Sequence, residues 1–313
     1  MNKEDDIRLD QKVRAACMYY IAGLNQSEIA SQLGTSRPVV QRLIAAAKDE
    51  GIVSIGLHHP VANCLDYAQL LKEKYQLTDC NIMPVYSIES TLDSVTFGCY
   101  QLMARYLQGD KPTIVGIGSG LTLKKTIKRI DFDSQNTRCV ALISAMNEHG
   151  QCNYYDDVPL LLARKIQGKY YQWPAPRYAQ SREEYQMWST NRLFRNVSTV
   201  ARDSDVIFVG IGALGRQSPI FKDGFIDEQQ LEELTARGGV GEILGRFIDA
   251  EGNVVESQIN QMITSHDIRE SNCPRIAAAC GEDKRPAILA ALKGGWINGL
   301  VTDEHTARWL LTR

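Results

Sequence analysis

Apolar residues recur at helical spacing through residues 10–22, at Val13, Ala16, Cys17, Tyr20 and Ile21, and Gly23 closes the run. Two shorter helical runs follow. Ile29, Ala30 and Leu33 share one face of the first, and Val40, Leu43 and Ile44 share one face of the second. Residues 52–57 read as a short strand that Pro60 breaks, and residues 63–75 as an amphipathic helix carrying Leu65, Leu70 and Leu71. Beyond it the period changes again. Continuous apolar stretches at 81–85, 113–117, 139–144, 169–173, 206–211, 276–280 and 297–302 predict strands. Helical stretches fall between them, near 91–107, 121–130, 157–167, 190–201, 227–236, 284–293 and 303–311. Val/Ile strands each followed by a helix bury both faces of a parallel sheet. The expected fold is α/β: a small N-terminal all-α helix-turn-helix domain over 1–58, then a Rossmann-like, mainly parallel, doubly wound sheet domain over 59–313.

The stretch 26–47 has the layout of a helix-turn-helix, whose second helix enters the DNA major groove. Gly34 falls where the chain must turn sharply and positive φ is needed. Asn25 or Ser27 can cap the first helix, Thr35 or Ser36 the second, and Pro38 sits in a first turn that tolerates a missing N–H. Small Ala30 lets the two helices cross closely. The outer face of the second helix then offers Ser36, Arg37, Gln41 and Arg42, side chains suited to base edges and phosphates.

Composition narrows the class. At 313 residues and 44% hydrophobic content the chain can build about two domains with a sizeable core. No apolar run approaches the ~20 residues that span a bilayer, and the charged start, Met1 to Ile7, lacks a signal-peptide segment. A cytoplasmic protein without membrane contact is expected. The eight cysteines lie at least seven residues apart, so no CxxC pair exists, and they read as reduced, structural thiols with no metal. His58-His59 reads as a solvated strand end. The formal charge of −2 excludes a chain coated in nucleic acid. Residues 10–48 nevertheless hold Lys12, Arg14, Arg37, Arg42 and Lys48 against Asp10 and Glu28, a local excess of +3. That suits one recognition helix per subunit in a homodimer or homotetramer on double-stranded operator DNA.

Glycine loops at strand ends carry the remaining chemistry. Gly116-Ile-Gly-Ser-Gly-Leu-Thr122 joins a strand to a helix, where backbone N–H groups and the helix N-terminus can hold an anion and Ser119 and Thr122 can donate. It is neither the GxGxxG dinucleotide fingerprint nor a P-loop, and no cofactor is expected. Gly210-Ile-Gly-Ala-Leu-Gly215 is a second such turn, and Gly238-Gly-Val-Gly-Glu-Ile-Leu-Gly245 a third glycine-rich stretch, followed by a hairpin turn at 249–253. Gly281-Glu-Asp-Lys284 closes a strand and opens a helix. Lys284 can pair with an acidic ligand, and Glu242 can accept hydrogen bonds from ligand hydroxyls.

Taken in order, the helix-turn-helix, these four loops and the tail Leu300-Val-Thr-Asp-Glu-His-Thr-Ala307 resemble the SorC family of bacterial sugar-responsive transcription regulators over nearly the whole chain. The resemblance implies an N-terminal DNA-binding domain, an effector domain similar to sugar-phosphate isomerases and deaminases, and dimers or tetramers whose operator affinity a sugar or sugar phosphate alters. By resemblance Gly118, Ser119, Gly120 and Thr122 match the phosphate-side loop. Glu242 and Leu244 match positions that contact the hydroxyl-bearing end, and Lys284 matches the phosphate-pairing lysine. Ser119 stands where the family usually has a large residue, and Leu121 where it has Arg or another polar group. The competing class is a sugar-phosphate isomerase or deaminase with an appended DNA-binding domain. Against it, Arg216 occupies the place of the deaminase's catalytic His, and Asp156, Asp157 and Glu242 are the carboxylates left to nominate as a base, none with an evident partner. A DNA-binding architectural protein without a ligand is the third class, and the glycine-rich strand ends weigh against it.

Overall fold

A computed structural model describes residues 3–53, 60–146, 152 and 158–313. The chain forms two compact units, Met1–His59 and Pro60–Arg313. Beyond Val53 the strand expected at 52–57 lies outside the described residues, as do His58-His59, Asp156 and Asp157.

In the first unit, α1 (Lys3–Ala16) runs into a π-helical turn (Cys17–Ile21), followed by α2 (Gln26–Gln32) and α3 (Arg37–Asp49). Gly34 makes the turn between α2 and α3 at φ +64°. Asn25 caps α2: its Oδ1 accepts the N–H of Ser27 and of Glu28 at 3.0 Å, and Glu28 Oε2 accepts the Asn25 N–H at 2.7 Å. Ala15, Ile29, Ala30, Val40 and Ile44 form the small core, with Met18, Leu24, Leu33 and Leu43 against it. The face expected for the first helix is corrected here. Ala16 is buried, but Val13, Cys17 and Tyr20 are exposed and Ile21 is 81% exposed. Close helix crossing selects the alanines, and the wide π turn takes the residues after Ala16 off the 3.6-residue period.

The second unit begins with α4 (Pro60–Tyr75), β1 (Asp79–Met83), α5 (Ile88–Leu107), β2 (Ile114–Ile117), α6 (Leu121–Lys128) and β3 (Arg138–Ala141). Then come α7 (Val158–Lys165), β4 (Lys169–Tyr171), α8 (Arg182–Thr190), α9 (Arg192–Arg202), β5 (Val206–Val209) and β6 (Gly212–Ala213). Helices α10 (Pro219–Lys222) and α11 (Glu228–Ala236), strands β7 (Gly239–Ile243) and β8 (Arg246–Asp249), and α12 (Gln258–Gln261) follow. The unit ends with β9 (Arg275–Ala278), a 3-10 turn (Glu282–Lys284), α13 (Arg285–Lys293), β10 (Gly299–Asp303) and α14 (Glu304–Leu311).

Seven strands form one parallel sheet in the order β1-β10-β9-β5-β2-β3-β4. Alternate residues separate its two faces. Val115, Ile117, Val206, Phe208 and Val301 point to the layer of α5, α6 and α7, packing with Leu102, Leu123, Ile127 and Leu162. Ile207, Val209, Ala277 and Leu300 point the other way, to Leu71, Val197, Ile288 and Leu310 of α4, α9, α13 and α14. This is the expected doubly wound α/β sheet. Strand β1 starts inside the expected 81–85 stretch's N-terminal flank, because Asp79 can be buried there: Arg105 Nη2 and Tyr106 Oη (2.6 Å) both donate to its carboxylate.

A second, antiparallel sheet, β6-β7-β8, was not legible as strands. Its central strand is the glycine-rich 238–245 stretch. Gly241 is required because a Cβ there would overlap that of Ala287 on α13. The turn between β7 and β8 is Leu244-Gly245, at φ +51° and +79°. The turn expected at 249–253 is present: Asp249 Oδ1 accepts the N–H groups of Glu251 and Asn253 at 2.9 Å, and Ile248 pairs antiparallel with Val254.

Candidate functional site

In the first unit, Ser36, Arg37, Gln41 and Arg42 are all exposed on α3 or at its N-cap. Ser36 holds the N-cap position without a side-chain capping bond. Arg37 Nε reaches Gln26 Oε1 at 3.5 Å, and Arg42 Nε reaches the Pro38 carbonyl at 3.4 Å. The buried face, Val40, Ile44 and Ala47, holds α3 in place and turns these four side chains outward. An exposed helix of two Arg with Gln and Ser, docked on a second helix, is able to enter a major groove and donate to phosphates and base edges.

In the second unit, a cleft of about 570 Å³ opens at the carboxyl ends of the parallel strands. Strand ends at which a sheet's connections diverge are where open α/β sheets bind ligands. Ser119, Gly120, Thr122, Glu242, Leu244 and Lys284 line it, so residues far apart in sequence meet in one place. Ser119 and Gly120 end the β2 turn, and Gly120 is the N-cap of α6 at φ +116°. The first-turn N–H groups of a helix lack intrahelical acceptors, and their dipole favours an anion. Lys284 ends the 3-10 turn, is half-buried, and its Nζ makes no hydrogen bond or ion pair among the described residues.

Gly118 departs from expectation. Its N–H donates to Phe208 O at 2.9 Å, so this amide is spent within the sheet and Gly118 is absent from the cleft wall. Its role is spatial: a Cβ there would lie 3.0 Å from Leu244 Cδ2. The hairpin residue Leu244 thereby lies directly on the β2 turn. Glu242 is paired with Gly212 across β6 and β7, and a Cβ at Gly212 would overlap its Oε1. Glu242 Oε2 accepts the Gly245 N–H at 2.8 Å, which fixes the carboxylate at the cleft.

Arg177 lines the cleft too, and sequence reasoning missed it. It follows β4 in a Pro-Ala-Pro stretch with no periodic signal. It is 6% exposed, donates from Nε and Nη2 to Ser144 O at 3.3 and 3.2 Å, and its Cζ lies 3.6 Å from the Phe225 ring centroid. The segment carrying Gln217, Ser218, Asp223 and Phe225 forms another wall. Arg216, by contrast, is absent from the lining and pairs with Glu228, Nε to Oε1 at 2.8 Å. Cys280 borders the cleft, but burial pushes its thiol up to about 11, so it stays protonated at neutral pH. Among the described residues no group of three or more His, Cys, Asp or Glu could hold a metal ion. Nor is any described helix long and apolar enough to cross a membrane.

Comparison with known proteins follows the same division. Residues 59–312 match the family described as "Putative sugar-binding domain". The erythritol catabolism regulatory protein EryD of Brucella abortus (strain 2308) is 30% identical over 302 residues, spanning 96% of this chain and 95% of that protein. The transcriptional regulator LsrR of Escherichia coli (strain K12) is 31% identical over 313 residues, spanning 96% and 94%. Among solved structures, the full-length sorbitol operon regulator SorC from Klebsiella pneumoniae matches with a TM-score of 0.73 at 26% identity, covering 98% of this chain and 99% of that one.

Proposed function

The chain belongs to the SorC family of sugar-binding transcriptional regulators, and on that premise we propose that it controls a carbohydrate or polyol catabolic operon. The relatives named for erythritol catabolism and the sorbitol operon support that class of target. In this reading, 1–58 binds operator DNA through Ser36, Arg37, Gln41 and Arg42. The remainder, 59–313, binds a sugar or sugar phosphate, with its phosphate at Ser119, Gly120, Thr122 and Lys284 and its hydroxyls at Glu242 and Leu244. One observation carries it: the cleft combines a helix N-terminus, a half-buried lysine and a fixed carboxylate in a chain whose α3 exposes two arginines.

The cleft binds and does not turn over its ligand in this reading. Glu242, the one described carboxylate among those nominated from the sequence as a base, accepts from the Gly245 amide, and Arg216 is committed to Glu228 outside the cleft. A local charge of +3 is small for one operator contact, so the working form is a homodimer or homotetramer reading repeated half-sites. Effector and operator then act on each other by one coupling free energy, usually worth about 5- to 150-fold in affinity.

Fluorescence anisotropy on DNA from upstream of its own gene, with a panel of polyols, sugars and their phosphates, tests the proposal. At least one member should shift operator affinity severalfold without being consumed. Catalytic conversion of that member, or operator affinity indifferent to the whole panel, would overturn it.

A further inference from the structure

Leu9, Val13 and Cys17 follow one another at steps of four along α1 and into the turn after it, and Ile21 continues the line. All four are exposed, Leu9 at 44% and Val13 at 42%. Residues four apart are neighbours on a helix, and each such step drifts round the axis by about 40°. The π turn, in which the Ala22 N–H donates to Cys17 O at 3.0 Å, is wider and takes Ile21 back toward the line of Val13. Tyr20 stands beside the stripe, edge-on to Tyr19 with ring centroids 5.0 Å apart. The core of the unit meets the other side of the helix, at Ala15. Leu9, Val13 and Ile21 belong to no hydrophobic cluster among the described residues.

The charges beside the stripe are neutralised within the unit. Asp10 and Arg14, on one flank, pair at 2.7 Å, and Lys12, on the other, donates to Glu50 Oε2 at 2.7 Å. Two copies can therefore approach along it without like charges opposing each other. The stripe is also its own complement. Turned end for end about a two-fold axis midway between Val13 and Cys17, a second α1 sets Leu9 opposite Ile21 and Val13 opposite Cys17, apolar against apolar. The same register brings Asp10 level with Tyr20, whose hydroxyl can donate to a carboxylate. Helix-turn-helix units read DNA in two-fold pairs, so a copy turned end for end is the neighbour such a unit meets on its operator. The span from 9 to 21 is about 18 Å long and about 10 Å wide, roughly 200 Å² per copy against the ~800 Å² per partner of a standard interface. It orients copies that other contacts also hold.

We propose that α1 is a self-association helix: two copies of this chain pair antiparallel through Leu9, Val13, Cys17 and Ile21, and the pairing sets the spacing of their α3 helices on the operator. This rests on the reading of the chain as an oligomer on repeated half-sites and names the surface that brings the recognition helices into register. Packing of Ala15 with Val40 and Ile44 ties α1 to α3, so a fixed α1 pair fixes the two α3 helices with it.

In this pair the two Cys17 Cα atoms lie roughly 10–12 Å apart, from a four-residue offset of ~6 Å and an interaxial distance of ~8–10 Å. That is within reach of a short bis-maleimide and too far for a disulfide. Full-length Cys152→Ser protein keeps Cys17 as its one exposed cysteine among the described residues. At low micromolar concentration the reagent should give a covalent dimer that mass spectrometry maps to Cys17–Cys17, and none after Cys17→Ser. Val13→Asp, which would bury a carboxylate in the pair, should cut the yield and the operator affinity by about tenfold or more. Val13→Leu, which keeps the stripe apolar, should restore both. The link in protein with Val13 intact decides the matter should a variant fail to fold. An oligomer by light scattering that gives no Cys17–Cys17 link, or that keeps its link or its operator affinity in Val13→Asp, would overturn the inference and leave the proposed function standing. A protein monomeric on its operator would overturn this inference together with the oligomeric reading.

Discussion

Replacing Lys284 with Ala removes one ammonium from the cleft and little else. The side chain is half-buried at the end of a 3-10 turn, makes no hydrogen bond or ion pair among the described residues, and caps α13 through its backbone position alone. The folded state should therefore keep its stability to within about 0.5 kcal/mol, the usual range for such a surface position. A phosphate facing Nζ makes a charge-assisted hydrogen bond worth about 1.5–3 kcal/mol where water is partly excluded. Its loss corresponds to roughly 10- to 150-fold in effector affinity. Because coupling between two ligands is reciprocal, the variant should bind operator as before and require correspondingly more effector to change that affinity. Titration calorimetry with a sugar phosphate that shifts operator binding measures the first effect, and anisotropy on operator DNA the second. Unaltered effector affinity in Lys284→Ala would place the anion elsewhere and refute the role given to this lysine.

Three further outcomes are expected. Arg37→Ala should weaken operator binding by on the order of 1–3 kcal/mol if this side chain reads a base; anisotropy showing unchanged affinity would remove α3 from recognition. Gly212→Ala, whose Cβ would overlap Glu242 Oε1, should displace that carboxylate, cost about 1–3 kcal/mol in stability and weaken effector binding; a variant with wild-type midpoint and affinity would show that Glu242 can yield freely. His266 is 4% exposed, shares a 2.8 Å hydrogen bond between Nε2 and Ser271 Oγ, and burial lowers its imidazole from 6.5 to about 4. The native state thus holds it neutral, so stability is intact above about pH 6.5 and is lost as pH falls toward 4, by roughly 2 kcal/mol between pH 7 and 5. All four tryptophans, Trp173, Trp188, Trp296 and Trp309, lie in the second unit, so denaturation followed by their fluorescence isolates this change, and His266→Gln should reduce the pH dependence by that amount.

How much of this was legible in the sequence follows from the range of the interactions involved. Helix-turn-helix geometry depends on Gly34, on the Asn25 cap and on apolar spacing within a few residues, and these are local properties that a sequence displays directly. The parallel sheet was equally legible, because strands buried on both faces must be apolar throughout, as β2 and β5 are. The glycine turn before α6 and the lysine after β9 could be singled out because each follows a strand end, where connections converge in any sheet of this type.

Other features needed the assembled fold. Apolar spacing in 10–22 does not say which side of the helix α2 and α3 will close on, and the alanines were chosen because close crossing favours small residues. The stretch 238–245 has too many glycines to read as a strand; β7 tolerates them because Gly239 and Gly241 face backbone and Ala287 at distances that no side chain would allow. Gly118 could be expected to offer its amide to a ligand until strand order placed Phe208 O beside it. Arg177 lies in no motif at all. It reaches the cleft because the β3-β4 edge and the β7-β8 turn meet around it, a juxtaposition of segments tens of residues apart that only strand order and crossover direction determine.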